Sequence, residues 1–199
     1  MAKIKFHHLT HCNTMATKPP FPLLTINQNI QLREHHASDD QAFLDYYTHP
    51  EVVRFNIAAP VPHTLKEATE EVLYCRNLYY QRQGIYWAIA NHKMIGAIGI
   101  HFRPSQVAEI HYDLSVEYWN QGIMTQAMQV AIAYCFDQLP INTLEARTLK
   151  DNTASTHILE KLGFKHHKCI ENYQSYNGKT YRVEVYQLSL NNFISSHSN

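Results

Sequence analysis

The sequence predicts an α/β chain of the layered α+β kind: a mixed, mostly antiparallel central sheet flanked by helices on both faces. Three observations predict it. Short segments that alternate apolar and polar side chains, such as Ile30-Gln31-Leu32-Arg33-Glu34, recur between turn residues and read as half-buried strands. Longer segments carry apolar residues at helical spacing, as Leu65, Ala68, Val72, Cys75 and Tyr79 do. Finally, Glu109-Ile110-His111-Tyr112-Asp113-Leu114 runs as a strand into Tyr118-Trp119-Asn120-Gln121-Gly122, and Gly122 opens a long apolar-faced helix. Strands and helices interleaved in this way bury their apolar faces as layers, with helices on both sides of a sheet.

The elements follow in order. Residues 1–28 lack a clear period and contain Pro19-Pro20-Phe21-Pro22, which predicts an extended or mobile N-terminal arm. The organised domain spans 29–190. After the strand at 30–34, Ser38-Asp39-Asp40-Gln41 caps a helix that turns Phe43, Leu44 and Tyr47 inward. Pro50, Pro60 and Pro62 punctuate a loop, Thr64 opens the second helix and Gly84 closes it. Residues 85–90 and 94–102 are strands about the Asn91-His92-Lys93 turn, and 107–114 completes the meander. Beyond the Gly122 helix come a strand at 143–149, a helix at 153–162, and a closing pair of strands at 164–172 and 181–190 around Asn177-Gly178. Residues 191–199 read as a C-terminal tail.

Composition narrows the function classes. A chain of 199 residues with 45% hydrophobic content suffices for one domain with its own core. Lys+Arg and Asp+Glu balance at 17 each with no basic stripe, which argues against nucleic acid as a partner. Cys12, Cys75, Cys135 and Cys169 form no Cys-x-x-Cys pair, against a zinc ribbon or a disulfide framework. Cys75 and Cys135 fall on helices, as buried small apolar residues of a reducing compartment. His7-His8 interrupt the start of the chain before an apolar leader can form, and no run is long enough to span a bilayer. The expectation is a cytoplasmic chain with no membrane partner. Of the 14 histidines, His7, His8 and His11 could gather a metal with Cys12, but no ordered scaffold surrounds them and no metal is expected.

Gly122 is where chemistry enters. At a helix start the first N–H groups lack intrahelical partners and the dipole favours negative charge, while a residue without Cβ lets an anion approach the main chain. Any strand-turn-helix with a Gly in its turn shares this pattern, so the next motifs matter. Downstream stand Asp151-Asn152-Thr153-Ala154-Ser155 and Ile158-Leu159-Glu160-Lys161-Leu162-Gly163-Phe164. Together with the Gly122 turn this order resembles the GCN5-related N-acetyltransferase (GNAT) family, and within it the RimJ/RimL-like branch of ribosomal-protein N-terminal acetyltransferases. That family's pattern is a Gln/Arg-x-x-Gly-x-Gly/Ala loop followed by an Asn-x-x-Ser helix ending in Gly-Phe. Here the loop reads Trp119-Asn120-Gln121-Gly122-Ile123-Met124, with Trp119 where the family has Gln or Arg and Met124 where it has Gly or Ala.

The resemblance implies a GNAT-like acyl-CoA N-acyltransferase fold, whose splayed central strands open a coenzyme cleft. It implies an acetyl-CoA-dependent N-acetyltransferase acting on a primary amine, with a protein or peptide N-terminus as the leading acceptor. A polyamine, an aminoglycoside or a free amino acid are alternatives. The backbone of Leu114, Ser115 and Val116 would then flank the pantetheine arm. Gln121, Gly122, Ile123, Met124 and Thr125 would donate main-chain N–H groups to the pyrophosphate, and Asn152 would touch the coenzyme. A monomer or a homodimer both fit.

Amide formation requires a base for a mostly protonated amine, a donor for the carbonyl oxygen and a proton for the departing thiolate. Glu109, on the strand leading to the turn, is the candidate base, acting through a water if partial burial raises its pKa. The alternative is a strand glutamate paired with a nearby Arg or Lys. For the leaving group, many family members use a Tyr at the position of Leu159, and the resemblance moves this role to Ser155. Asn152 and Ser155 lie three apart at a helix start, a spacing that equally suits helix capping without catalysis. Tyr173 and Tyr176, near the Asn177-Gly178 turn, line the acceptor cleft or cap a core edge. A non-catalytic acyl-CoA-binding sensor is the reading that the absent Tyr at Leu159 keeps open.

Overall fold

The computed structural model describes residues 19–197. One sheet is formed by β1 (Leu24–Thr25), β2 (Gln31–Arg33), β3 (Gly84–Ala90), β4 (Met94–Arg103), β5 (Val107–Leu114), β6 (Thr143–Leu149), β7 (Lys165–Gln174) and β8 (Thr180–Ser189). The helices are α1 (Asp40–Tyr47), α2 (Pro50–Val53), α3 (Leu65–Tyr80), α4 (Ile123–Gln138), α5 (Thr153–Lys161) and α6 (Leu190–His197). Strand order is β1-β2-β3-β4-β5-β6-β8-β7, and of these neighbours only β5 and β6 run parallel. No described helix is long and apolar enough to cross a membrane.

The parallel pair matters most. Its ladder runs from Val107 opposite Thr143 to Ile110 opposite Ala146 and then stops. Yet β5 continues to Leu114 and β6 to Leu149, each still bonded to its outer neighbour. Past Ile110 and Ala146 the strands part and a cleft opens in the middle of the sheet.

Strand alternation sorts β5 into two faces. Ala108, Ile110 and Leu114 enter the larger core, with Ile123, Met124, Ala127, Met128 and Ala131 of α4. Each fully buried side chain of Leu, Ile or Met size contributes about 1.5–3 kcal/mol, so this helix is held chiefly by its packing. Glu109, His111 and Asp113 turn the other way, toward the smaller cluster where Phe43, Tyr46, Ala68 and Val72 pack on Ala88, Met94 and Ala97.

Four sequence expectations are corrected. In α1 the buried residues are Phe43 and Tyr46, with Leu44 and Tyr47 only half-buried. A 3-10 turn at Ala37–Asp39, pinned by Arg33 on the Asp39 carboxylate (2.7 and 2.8 Å), delays the helix to Asp40 and rotates its face. The proline-punctuated loop contains α2, because Pro50 sits at the first turn, where its missing N–H costs nothing, and His49 caps it. Gly84 opens β3 rather than closing a helix; a Cβ there would strike the Ile100 carbonyl. Finally, the C-terminal segment is helical, while the N-terminal arm, described only from residue 19, is an extended segment that docks on the sheet. Phe21 packs edge-on against Tyr79 and Trp87, and the Trp87 indole N–H donates to Pro22 O at 2.8 Å. In place of a tail, α6 starts at Leu190, and the Phe193 ring packs tilted against Phe136 with ring centroids 5.2 Å apart.

Candidate active site

The turn between β5 and α4 is held from three sides. Ser115 N–H donates to Ile95 O (2.8 Å), continuing the β4–β5 ladder one residue past Leu114. A 3-10 turn over Val116–Tyr118 follows, and the Trp119 indole N–H reaches back to Leu114 O at 2.8 Å. Trp119 therefore staples the loop, while its ring packs on the main core. Next come two left-handed residues, Asn120 (φ 58) and Gly122 (φ 74), the latter at the N-cap of α4. Asn tolerates this region better than other side chains, and Gly has no Cβ to strain.

The first helical hydrogen bond is Gln126 N–H to Gly122 O (3.1 Å). The N–H groups of Gly122, Ile123, Met124 and Thr125 thus have no main-chain partner among the described residues. Successive N–H groups at a left-handed turn and a helix start form an anion-binding concavity. Above Gly122 a Cβ would meet only Gln126 Nε2, 3.7 Å away, so the space beside these donors is open. Ile123 and Met124 bury their side chains in the core and offer the loop only their backbone, which explains how Met124 is accommodated. The Gln121 side chain is turned back onto Glu117 O (2.8 Å) and Thr125 is half-buried. Along the cleft edge, the Leu114 carbonyl is taken by Trp119 and the Ser115 N–H by Ile95. The Val116 N–H has no partner among the described residues.

On the α4 face of the cleft, Ser155 Oγ lies 2.7 Å from the Tyr112 hydroxyl. Asn152 caps α5, its Oδ1 accepting from Ser155 N–H at 3.1 Å, which sets the serine at the helix mouth. The capping geometry is present, and the serine hydroxyl still faces a phenol across the cleft. Burial pushes the Tyr112 pKa up, only partly offset by its bond to Ser155, so the phenol keeps its proton at neutral pH. Sequence reasoning missed Tyr112. Its signal was its place in β5, two residues past Ile110 on the same face. Leu159 is fully buried in the core and supplies no acid.

Glu109 differs from expectation. Its carboxylate is buried and receives Arg103 Nη2 at 2.8 Å, with Arg147 Nε at 3.5 Å and His111 Nε2 at 3.6 Å. Burial pushes this carboxyl up, but the surrounding donors and positive charge outweigh it and hold Glu109 below the ordinary carboxylate range. Burial also pulls His111 down to about 4, leaving it neutral near pH 7, so the two arginines provide the charge. The expected raised carboxyl is therefore absent. Glu109 also sits where β5 and β6 are still paired, opposite Glu145, before the cleft opens.

Tyr176 lies in the β7–β8 turn and is exposed. Tyr173 instead sits in the ladder opposite Tyr181. A cavity of about 340 Å³ lies at the open end of β6, lined by Arg54, Phe55, Leu149, Lys150, Asp151, Tyr181 and Arg182. Of its cations, Arg54 is ion-paired with Glu51 and Arg182 with Glu171 and Glu184. Among the described residues no group of His, Cys, Asp and Glu could hold a metal ion, and His7, His8, His11 and Cys12 lie outside them.

A strand pair that parts beside an anion-binding helix start defines an acyl-CoA N-acyltransferase. The family model for the acetyltransferase (GNAT) domain matches residues 29–165, and the chain belongs to this family. It is 28% identical over 173 residues to the uncharacterized N-acetyltransferase YoaA of Bacillus subtilis (strain 168), covering 84% of this chain and 97% of that one. Its fold is similar to that of RimL, a ribosomal L7/L12 alpha-N-protein acetyltransferase solved with coenzyme A (TM-score 0.76, 18% identity, 86% and 99% of the two chains). It is also similar to the microcin C7 self-immunity acetyltransferase MccE, solved with acetyl-CoA and AMP (TM-score 0.75, 16% identity, 83% and 94%). The protein is an acetyl-CoA-dependent N-acetyltransferase, with the open, mostly antiparallel sheet of its family.

Proposed function

We propose that the chain acetylates the α-amine of a protein or peptide N-terminus. The observation that carries this choice of acceptor is the lining of the cavity at the open end of β6. Arg54, Lys150 and Arg182 line that cavity against Asp151, so it offers no excess of acidic groups to draw in a polycation such as a polyamine or an aminoglycoside. An α-amine carries at most one charge and has a pKa of about 7.7–8.0, against about 10.4 for Lys, so a useful fraction is already neutral. RimL, which modifies a ribosomal protein's α-amine, shares the fold and supports the same reading.

Acetyl-CoA supplies the acetyl group as a thioester. The N–H groups of Gly122, Ile123, Met124 and Thr125, with Gln121, would hold its pyrophosphate, and the backbone of Leu114, Ser115 and Val116 would flank its pantetheine arm. Asn152 uses its carbonyl oxygen to cap α5, leaving its amide NH2 to contact the coenzyme. The Ser155 hydroxyl would give a proton to the departing sulfur, with the Tyr112 phenol behind it to replace that proton. Glu109 holds Arg103 and Arg147 in place across the floor where β5 and β6 begin to part, a positioning role in place of the base.

The test is thiol release from acetyl-CoA. Short peptides with a free N-terminus should turn over faster than the same peptides blocked at the α-amine but carrying a Lys, and faster than spermidine. Preferential turnover of the blocked peptides or of spermidine would overturn this acceptor.

A further inference from the structure

Asp113 is the last residue of β5 on the acceptor face before the strand ends at Leu114, beyond the point where β6 has parted from it. Its Oδ1 accepts a hydrogen bond of 2.7 Å from the Tyr46 hydroxyl of α1, and Ala97 of β4 lies opposite it in the ladder. Around it stand Tyr47 of α1, Glu71 and Cys75 of α3, Tyr86 of β3 and, beyond Tyr47, Tyr176 of the β7–β8 turn. Asp113, Tyr47, Glu71 and Tyr86 are part-buried, each keeping some surface exposed to solvent. No described ion pair includes Asp113 or Glu71. A carboxylate taken out of water without a cation of its own is a cation receptor.

We propose that Asp113 is the catalytic base: it receives the acceptor's ammonium at the open end of β5 and takes its proton, with Tyr46 fixing the carboxylate. The assignment rests on the acetyltransfer reading. In the step, Asp113 takes one proton from the R–NH3+ group and later releases it to solvent. The amine nitrogen forms a bond to the thioester carbonyl carbon as the carbon–sulfur bond breaks. The sulfur gains a proton from Ser155 and the nitrogen's second proton restores the Tyr112–Ser155 pair, so the products are amide, thiol and the one proton released through Asp113. The two faces of β5 divide the work, with Asp113 toward the acceptor and Tyr112–Ser155 toward the coenzyme. Burial supports the role, since it pushes the Asp113 carboxyl up to about 7, more than the Tyr46 hydrogen bond lowers it and aided by Glu71. That value is well matched to an α-amine near neutral pH.

The experiment is the pH profile of kcat/KM with a free-N-terminus peptide for the wild type, Asp113→Asn, Asp113→Glu, Tyr46→Phe and Glu109→Gln, beside calorimetric titration with acetyl-CoA. The wild type should show an acidic limb near pH 7. Asp113→Asn should lose that limb and about 100-fold or more in rate, with acetyl-CoA affinity unchanged, and Asp113→Glu should restore part of both. Tyr46→Phe, deprived of the bond that stabilises the ionised carboxylate, should move the limb to higher pH, and Glu109→Gln should leave it in place. An Asp113→Asn enzyme within a few-fold of the wild type, limb intact, overturns the assignment alone. A wild type that binds acetyl-CoA but releases thiol with no amine overturns the acetyltransfer reading and this assignment with it.

Discussion

Glu109 and Asp113 stand on one strand, on one face, about 13 Å apart by the rise of an extended chain. Both are carboxylates withdrawn from water, and their proton affinities move in opposite directions. Glu109 lies in the paired half of β5, where cross-strand neighbours bring it Arg103 and Arg147, and its carboxyl is pulled down. Asp113 lies in the parted half, where no cation among the described residues pairs with it and Glu71 adds like charge, and its carboxyl is pushed up to about 7. Burial alone sets neither value. What decides is whether the strand still has a neighbour to deliver positive charge, so the splay that opens the cleft also creates a carboxylate able to exchange protons near neutral pH.

The largest effect should come from closing the cleft's anion turn. Gly122→Glu would place a charged side chain in the open space beside the α4 N–H groups and should abolish acetyl-CoA binding by calorimetry while the chain stays folded. Gly122→Ala separates strain from occlusion: the left-handed backbone should cost about 1–2 kcal/mol with binding retained. Unchanged affinity in Gly122→Glu would move the coenzyme elsewhere and remove the cleft's meaning from the comparison.

Next in size is the opposite face of the same strand. Ser155→Ala should lower kcat by about 10–100-fold with little change in Tm, as expected of a proton donor. A large loss of stability with kcat intact would make Ser155 a helix residue only, held by Tyr112 and Asn152 for α5. Glu109→Gln should instead register in stability, with a loss of about 1–3 kcal/mol by denaturant titration. It leaves Arg103 and Arg147 facing each other without their shared anion, a cost tempered by the exposure of both arginines. A stability-neutral Glu109→Gln that erased the acidic limb would reverse the roles of the two carboxylates.

The smallest effects are in stability against pH, where two buried groups act with opposite sign. His35 has both ring nitrogens buried without a hydrogen-bond partner among the described residues, and burial pulls its pKa to about 4. The unfolded chain, with an ordinary imidazole, binds that proton more tightly, so this stability is present above pH 6.5 and lost as pH falls toward 4, up to about 3 kcal/mol. Asp113 works in reverse. Its folded carboxyl holds the proton more tightly than the unfolded one, so its contribution is present below pH 3.8 and lost as pH rises through 7, about 1–2 kcal/mol after allowance for partial exposure. His35→Leu should flatten the acid side of a Tm-versus-pH curve, and Asp113→Asn should raise Tm at pH 8. A lowered Tm at pH 8 would mark Asp113 as a structural residue.

What the sequence made legible were features carried by neighbours in the chain. The alternation of β5, the Gly122 turn, the apolar run of α4 and the Asn152–Ser155 cap are all set within a few residues, and each formed as expected. Features that needed two distant segments were invisible. Tyr112 meets Ser155 across 43 positions, Tyr46 meets Asp113 across 67, and Glu109 meets Arg147 only because a parallel strand pair sets them side by side. The rotation of α1 that buries Tyr46 in place of Tyr47 came from a single 3-10 turn that periodicity does not encode. The docking of Phe21 and Pro22 on Trp87 likewise depends on a sheet edge that only the fold creates.

The central claim is that backbone donors at the start of α4 and along the open end of β5 hold the coenzyme. Amide hydrogen exchange on the wild type, with and without acetyl-CoA, tests it most directly. The account predicts strong new protection at Gly122, Ile123, Met124, Thr125 and Val116, while the paired residues Ala108 and Ile110 are unchanged. Saturating acetyl-CoA that leaves those amides exchanging at their free rates, or protects a different surface, would contradict it.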